Sequence, residues 1–291
     1  MVAVVALLVA SCGTVLLSDS KSYGDKYANG ILPVGDGKYS TTAASKGSIY
    51  LCGVGPGGGG GADSRGPWFS ADGRTYDVNK KVSVQGSVRW TGSMTNNVAN
   101  GTRTIVTNDL PSGHATGVFP VGSSDPAYRY DRNPNRISAQ SVTYNLPASP
   151  TFDQNPHCMT GQVGVMLTGV ELFNGFDAGQ RDAGAWEVQD GCGGHPERTG
   201  TYHYHTLSSC ISDVSVHTVI GFALDGFPIT GPKVGDKNIL TTDDLDVCHG
   251  LMGSVNVDGN TVGTYHYVMT QDFPYSASCF RATPTKAPGE P

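Results

Sequence analysis

The chain has 291 residues, of which only 15% are charged while 40 are glycine and 17 proline; this composition favours many short strands joined by tight turns over a helical bundle. Its formal net charge of −6 is mild and no run rich in lysine or arginine occurs, so there is no electrostatic footprint for nucleic acid or an anionic membrane surface. Metal ions, small molecules and carbohydrates remain as partners, on a mainly β chain expected to form one large domain, sandwich-like or of irregular antiparallel sheets, with disulfide-stapled hairpins and long loops.

From Val2 to Ala10 the sequence is continuously apolar, and Val15, Leu16 and Leu17 extend the run. That length suits the apolar core of an export signal better than a membrane span of about 20 residues. Val9-Ala10-Ser11-Cys12 also has the form of a bacterial lipoprotein processing site, in which Cys12 would carry the lipid. Residues 1 to 17 are therefore expected to be a signal peptide or a lipoprotein signal, membrane contact to occur only through such an N-terminal anchor, and the protein to be secreted or held at the cell surface. Residues 18 to 66, polar and nearly pure glycine from Gly55 to Gly61, are expected to be flexible tether and loop.

A β domain is expected over residues 67 to 283. Val82, Val84, Gly86, Val88 and Trp90 alternate with Ser83, Gln85, Ser87 and Arg89, the pattern of a half-buried strand. Apolar stretches near 103 to 107, 117 to 121, 137 to 146 and 163 to 173 follow, divided by turns such as Asn108-Asp109-Leu110-Pro111 and Arg132-Asn133-Pro134-Asn135. Between Val219 and Ile229, Asp225-Gly226 has the composition of a two-residue primed hairpin turn. The proline-rich residues 284 to 291 are expected to be a disordered tail.

With Cys12 set aside, Cys52, Cys158, Cys192, Cys210, Cys248 and Cys279 form an even set, so three disulfides are expected in an oxidising compartment. Two pairs, Cys192 with Cys210 and Cys248 with Cys279, would close short loops around similar motifs. Gly200-Thr201-Tyr202-His203-Tyr204 recurs as Gly263-Thr264-Tyr265-His266-Tyr267, each copy bracketed by one of these pairs. A duplicated hairpin unit is the expectation.

If residues 201 to 205 are a strand, the period of two sends His203 and His205 to one face and Tyr202 and Tyr204 to the other. Pairing the two repeats in register would place His266 beside them, giving a His-x-His plus third histidine site suited to zinc or copper. Around it, Asp225, His195 and His217 are candidates for a supporting hydrogen bond or a base. The competing reading is that these tyrosines and histidines are half-buried residues with bonded tips. Asp243, Asp244 and Asp246 with Asp236 form an acidic patch whose spacing does not match a calcium loop. No Gly-x-Ser-x-Gly elbow, His-Glu-x-x-His helix or Walker loop occurs, which removes the signatures of serine hydrolases, zincins and nucleotide-binding proteins.

Thr201-Tyr202-His203-Tyr204-His205 and Gly221-Phe222-Ala223-Leu224-Asp225-Gly226-Phe227-Pro228-Ile229, together with Asn108-Asp109-Leu110-Pro111, His114, Gly117-Val118-Phe119-Pro120, Asn133-Pro134-Asn135, Gly169-Val170-Glu171-Leu172-Phe173 and Asp272-Phe273-Pro274-Tyr275, resemble the YHYH protein family over roughly residues 80 to 283. The resemblance implies export and supplies no reaction. The second copy departs from the motif by reading Tyr265-His266-Tyr267-Val268. The leading expectation is thus an exported zinc- or copper-binding β-domain of non-catalytic binding or matrix role. A metal-dependent hydrolase and a purely structural extracellular module are the alternatives.

Overall fold

The computed structural model describes residues 25–55, 62, 64–235 and 238–288; the expected export signal and Cys12 lie outside the described residues. The architecture is mainly β. Three strands, β1 (Met94–Ala99), β2 (Thr102–Thr107) and β3 (Val142–Pro147), form an antiparallel sheet in that order. Their inward residues Ile105, Tyr144 and Leu146 share a core with Leu172 and Phe222 of a larger sheet. Arg103 reaches from β2 to the same sheet, its guanidinium 3.9 Å from the Phe222 ring centroid and paired with Asp258 at 2.6 Å.

The larger sheet has eight strands: β4 (Gln162–Met166), β5 (Glu171–Phe173), β6 (Gly194–Pro196), β7 (Tyr202–Tyr204), β8 (Val219–Ala223), β9 (Pro228–Thr230), β10 (Gly250–Val257) and β11 (Asn260–Val268). Their order across the sheet is β6-β7-β5-β4-β8-β9-β11-β10, with β7 parallel to β5 and β11 parallel to β9. Read outward from the central antiparallel β4–β8 pair, each half is a hairpin followed by a second hairpin whose later strand returns parallel to the first. The sheet is therefore two copies of one unit related by a pseudo-twofold between β4 and β8.

The correspondence extends to individual residues. Gly169 and Gly226 occupy the same turn position with φ of 86° and 89°, a left-handed conformation that glycine adopts without a Cβ penalty. Gly169 N donates to Met166 O and Gly226 N to Ala223 O, both at 2.9 Å. The hairpin expected at Asp225-Gly226 is present, but its turn is not the primed two-residue type. Asp225 is not in the left-handed region, and Leu224, Asp225 and Gly226 together make a three-residue turn.

At the outer hairpins, the Asp190 Oδ1 carboxylate oxygen accepts from the backbone of Cys192 and Gly194, and Asp246 Oδ1 from Cys248 and Gly250. The disulfides Cys192–Cys210 and Cys248–Cys279 pin the two copies, and Cys52–Cys158 is the third bridge.

Several expectations need correction. Part of the segment read as tether is folded: Ile31–Pro33 pairs with Thr75–Asp77, Tyr39–Ser40 with Ile49–Tyr50, and Leu32 and Ile49 are buried. These strands are too short for periodicity to register in the sequence. The alternating run from Val82 to Trp90 makes only isolated bridges, Val84 with Asp190 and Val88 with Thr116. Gly86, at φ 128°, breaks its extended course between them. The stretch 117 to 121 contains no strand. In the tail, Thr285 N donates to Leu224 O and Ala287 is buried, so residues 284 to 288 pack on the domain; residues 289 to 291 lie outside the described residues.

Candidate metal centre

The two imidazoles of β7 and its flank point the same way, as the strand period requires. His203 and His205 have ring centroids 4.9 Å apart, while Tyr202 and Tyr204 lie together on the opposite, core-facing side at 5.7 Å. The third imidazole comes from β6, where His195 sits directly across the ladder from His203 with centroids 4.5 Å apart. Ligand atoms of His195, His203 and His205 all lie within 4.8 Å of one another.

Tautomers at this site follow from the partners. His205 Nδ1 stands 2.6 Å from the carbonyl oxygen of Asn174, and His203 Nδ1 stands 3.3 Å from that of Thr201. A carbonyl oxygen only accepts, so both Nδ1 atoms carry the proton and both Nε2 atoms of the neutral rings present lone pairs. Those Nε2 atoms are 3.1 Å apart. Burial, the largest influence on each ring, pushes both histidines below the ordinary imidazole range, His203 well below it. Two lone pairs therefore face each other with no proton between them.

Glu187 closes the cluster. It follows the short helix α1 (Ala183–Trp186), whose N-cap Asp182 accepts from Ala185 N. Its Oε2 lies 3.1 Å from His195 Nε2 and 3.2 Å from His205 Nε2. The distances are those of hydrogen bonds but the directions are not: neither ring nitrogen of His195, nor Glu187 Oε2, has a hydrogen-bond partner of acceptable geometry among the described residues. Burial alone would raise the Glu187 carboxyl, yet attraction to His195 and His205 holds it well below its ordinary range. Burial likewise opposes a charge on His195, and the pull of Glu187 overcomes it and raises this histidine. The spacings of 3.1 to 3.2 Å approach the roughly 3.3 Å edge of a tetrahedron with ligands about 2.0 Å from a central ion.

The histidines and Glu187 line a cavity of about 870 Å³ that also takes in Asp131, Arg132, Asn133, Glu197 and Arg198. Phe173, stacked on His203 at 4.2 Å, forms part of its wall.

His266 is not at this site. The repeats lie at opposite ends of the sheet with four strands between β7 and β11, a separation of about 24 Å at the usual ~4.8 Å strand spacing. The in-register pairing expected from the repeat does not occur, because each hairpin instead pairs with its own half. His266 Nδ1 faces Thr230 Oγ1 at 2.9 Å, and burial pushes the ring down to about 4. At the positions equivalent to His195 and His205 the second half carries Leu251 and Val268, so the second copy lacks a ligand set.

Asp225 also lies away from the cluster. It accepts from Tyr267 Oη at 2.6 Å and from the backbone nitrogens of Phe227, Arg281 and Ala282, and burial pushes it up to about 6 against these bonds. His217 is exposed, with Nδ1 2.7 Å from Ser254 O. His195, expected as a supporting residue, is instead one of the three converging imidazoles. A second grouping, His114 with Cys192 and Cys210, offers no thiolate because those sulfurs form a disulfide. The described members of the acidic patch are engaged separately: Asp243 pairs with Lys26, Asp244 caps at Thr241 and Asp246 pairs with Arg281, while Asp236 lies outside the described residues. Glu187 was not singled out in the sequence, where a lone acid after Trp186 carries no spacing signal. His195 did have one, since Asp190-Gly191-Cys192-Gly193-Gly194 matches Asp246-Val247-Cys248-His249-Gly250 and sets His195 against Leu251.

Fold and site together define a disulfide-cross-linked β protein with a buried three-histidine, one-carboxylate cluster lining a cavity. Residues 143–242, which contain that cluster, match the family model described as YHYH protein. Comparison with curated proteins and with solved structures found no match.

Proposed function

We propose that this protein is an exported β-domain that binds a transition metal ion, zinc or copper, through His195, His203 and His205 with Glu187 beside them, in a non-catalytic binding or matrix role. One observation carries the reading: the unprotonated Nε2 atoms of His203 and His205 stand 3.1 Å apart in a buried site. Such an arrangement is repulsive unless a cation lies between the lone pairs, and imidazole is a preferred ligand of both metals. The Nδ1–H bonds to Asn174 and Thr201 fix the rings as second partners of metal-bound histidines commonly do. Three disulfides suit an oxidising compartment, which supports the exported setting. Among the described residues no helix is long and apolar enough to cross a membrane. The test is elemental analysis of protein purified without chelator, followed by zinc and copper titration of the stripped protein. About one equivalent of ion per chain is expected, and absence of stoichiometric binding of either ion would reject the reading.

The cavity of about 870 Å³ beside the cluster favours a second reading, a metal-dependent hydrolase. His195, His203 and His205 would hold the ion, which would supply activation of a water molecule, and Glu187 beside them would take the proton. Turnover of chromogenic phosphate or carboxylate esters by the metal-loaded protein, abolished in Glu187→Gln with the metal retained, would establish it. A fully loaded protein without such turnover leaves the binding role standing.

A further inference from the structure

We infer that the cavity beside the histidine cluster takes an oxyanion, a phosphoryl or carboxylate group, gripped by Arg132 and Arg198. Four carboxylates line it, Asp131, Asp177, Glu187 and Glu197; three are bonded by this chain's own donors, while Glu187 Oε2 lies at ion-pair distance from histidines without a hydrogen bond of acceptable geometry. Asp131 accepts from Asn133 N at 3.0 Å and Val188 N at 3.1 Å. Asp177 is paired with Arg181 through Nη2 at 2.7 Å and Nε at 2.8 Å. Glu197 accepts from Thr199 N at 2.8 Å and Thr201 N at 3.2 Å. Glu187 faces His195 and His205.

The arginines differ. Among the described residues neither Arg132 nor Arg198 has a hydrogen bond or ion pair, and both are exposed at the cavity. Arg132 lies with its guanidinium carbon 5.3 Å from the Tyr128 ring centroid, a contact that orients the plane without using its N–H groups. The two segments that carry these arginines are sewn together. Asn133 Oδ1 accepts from Asn135 N, and Asn133 Nδ2 donates to Pro196 O at 2.9 Å, between His195 and Glu197. Two guanidinium forks with free donors thus flank a cavity in which three acids are bonded within the chain and the fourth faces the histidine cluster. Guanidinium matches the paired oxygens of phosphate and carboxylate.

The inference rests on the metal reading for one contact, a ligand oxygen on the ion, while the arginine contacts stand without it. The experiment titrates inorganic phosphate, and separately acetate, into the full chain in zinc-loaded and metal-free forms, comparing the wild type with an Arg132→Gln/Arg198→Gln double variant. Circular dichroism and zinc titration of the variant serve as controls for fold and metal site. Saturable binding by the wild type is expected, weakened roughly tenfold or more in the double variant with zinc affinity unchanged. Tighter binding of phosphate than of acetate would assign a phosphoryl group, and the reverse order a carboxylate. Equal anion affinity in variant and wild type, or no binding of either anion, overturns the inference. If zinc does not bind but the metal-free wild type still holds anion through the arginines, the metal reading fails and this one survives.

Discussion

Tyr204 and Tyr267 stand at the same register position in the two halves of one sheet, across from Leu172 and Ile229, yet one hydroxyl meets His114 Nε2 at 2.5 Å and Thr168 at 3.4 Å, and the other meets Asp225 at 2.6 Å. The duplicated scaffold has thus taken different chemistry in each half. In the first, the tyrosine hydroxyl behind the histidine cluster is held by His114 and Thr168. In the second, a buried carboxylate ties the turn to Arg281 and Ala282 near the end of the chain.

Asp225 should therefore matter to folding and not to metal. Asp225→Ala leaves the Tyr267 hydroxyl and the backbone nitrogens of Phe227 and Ala282 without their acceptor, while Arg281 N keeps Tyr267 Oη at 2.7 Å, a loss on the order of 3 to 5 kcal/mol when several buried partners are orphaned together. Thr168→Ala removes one long contact and should cost under about 1 kcal/mol. Urea denaturation measures both, and metal content of whatever Asp225→Ala protein remains folded should equal that of the wild type.

The equivalence of His203 and His266 gives a sharper contrast. His203→Ala or His205→Ala should weaken zinc or copper binding by on the order of 100-fold or more, since a lost ligand exceeds the 10- to 100-fold effect of a lost supporting residue. His266→Ala should leave metal affinity unchanged and lower stability by about 1 to 3 kcal/mol, because it removes the shorter of the two hydrogen bonds of the buried Thr230 hydroxyl. Calorimetric titration beside thermal melts reads both quantities. A metal defect in His266→Ala would contradict the separation of the two ends of the sheet.

The bridge Cys192–Cys210 brackets the hairpin that carries all three imidazoles, whereas Cys248–Cys279 brackets the copy without ligands. Serine pairs at either bridge should each destabilise the protein by about 3 to 4 kcal/mol on loop-entropy grounds. Only the Cys192→Ser/Cys210→Ser pair should also weaken metal binding, by roughly tenfold, because ordering the loosened hairpin then draws on the binding energy. Metal titration below the melting temperature of both variants distinguishes the two bridges.

Local features were legible in the sequence: the i,i+2 spacing that aims His203 and His205 together, the disulfides around each repeat, and the hairpin at Asp225-Gly226. What escaped was the long-range arrangement. The repeat Tyr-His-Tyr suggested two hairpins side by side, but the matching inner hairpins Val163–Phe173 and Ile220–Thr230 stand between them and set them at opposite ends. Their shared Gly164/Gly169 and Gly221/Gly226 spacing was the available signal. Glu187 reaches the cluster from the end of a four-residue helix, where neither strand nor helix periodicity can mark a residue as facing a site.

Beneath the first half, buried carboxyls should make stability depend on pH. Glu171 accepts from Tyr144 Oη at 3.1 Å, and Asp109 Oδ1 accepts from Glu171 N at 3.1 Å. Burial pushes Glu171 up to about 7, and burial followed by repulsion from Glu171 pushes Asp109 up to about 9. An acid whose folded pKa is raised keeps its proton in the native state while the unfolded chain loses it. Its contribution is thus fully present below the unfolded value, near 4 to 4.5, and is lost as pH rises through 7 for Glu171 and 9 for Asp109. Glu171→Gln keeps an oxygen for Tyr144 and removes the charge, so its urea midpoint should decline less than that of the wild type between pH 4.5 and 7. At pH 8 the variant should gain roughly 2 to 3 kcal/mol relative to its difference from wild type at pH 4, from about 1.4 kcal/mol per pKa unit. Parallel pH–stability curves for the two proteins would show that Glu171 ionises in the folded state as easily as in water.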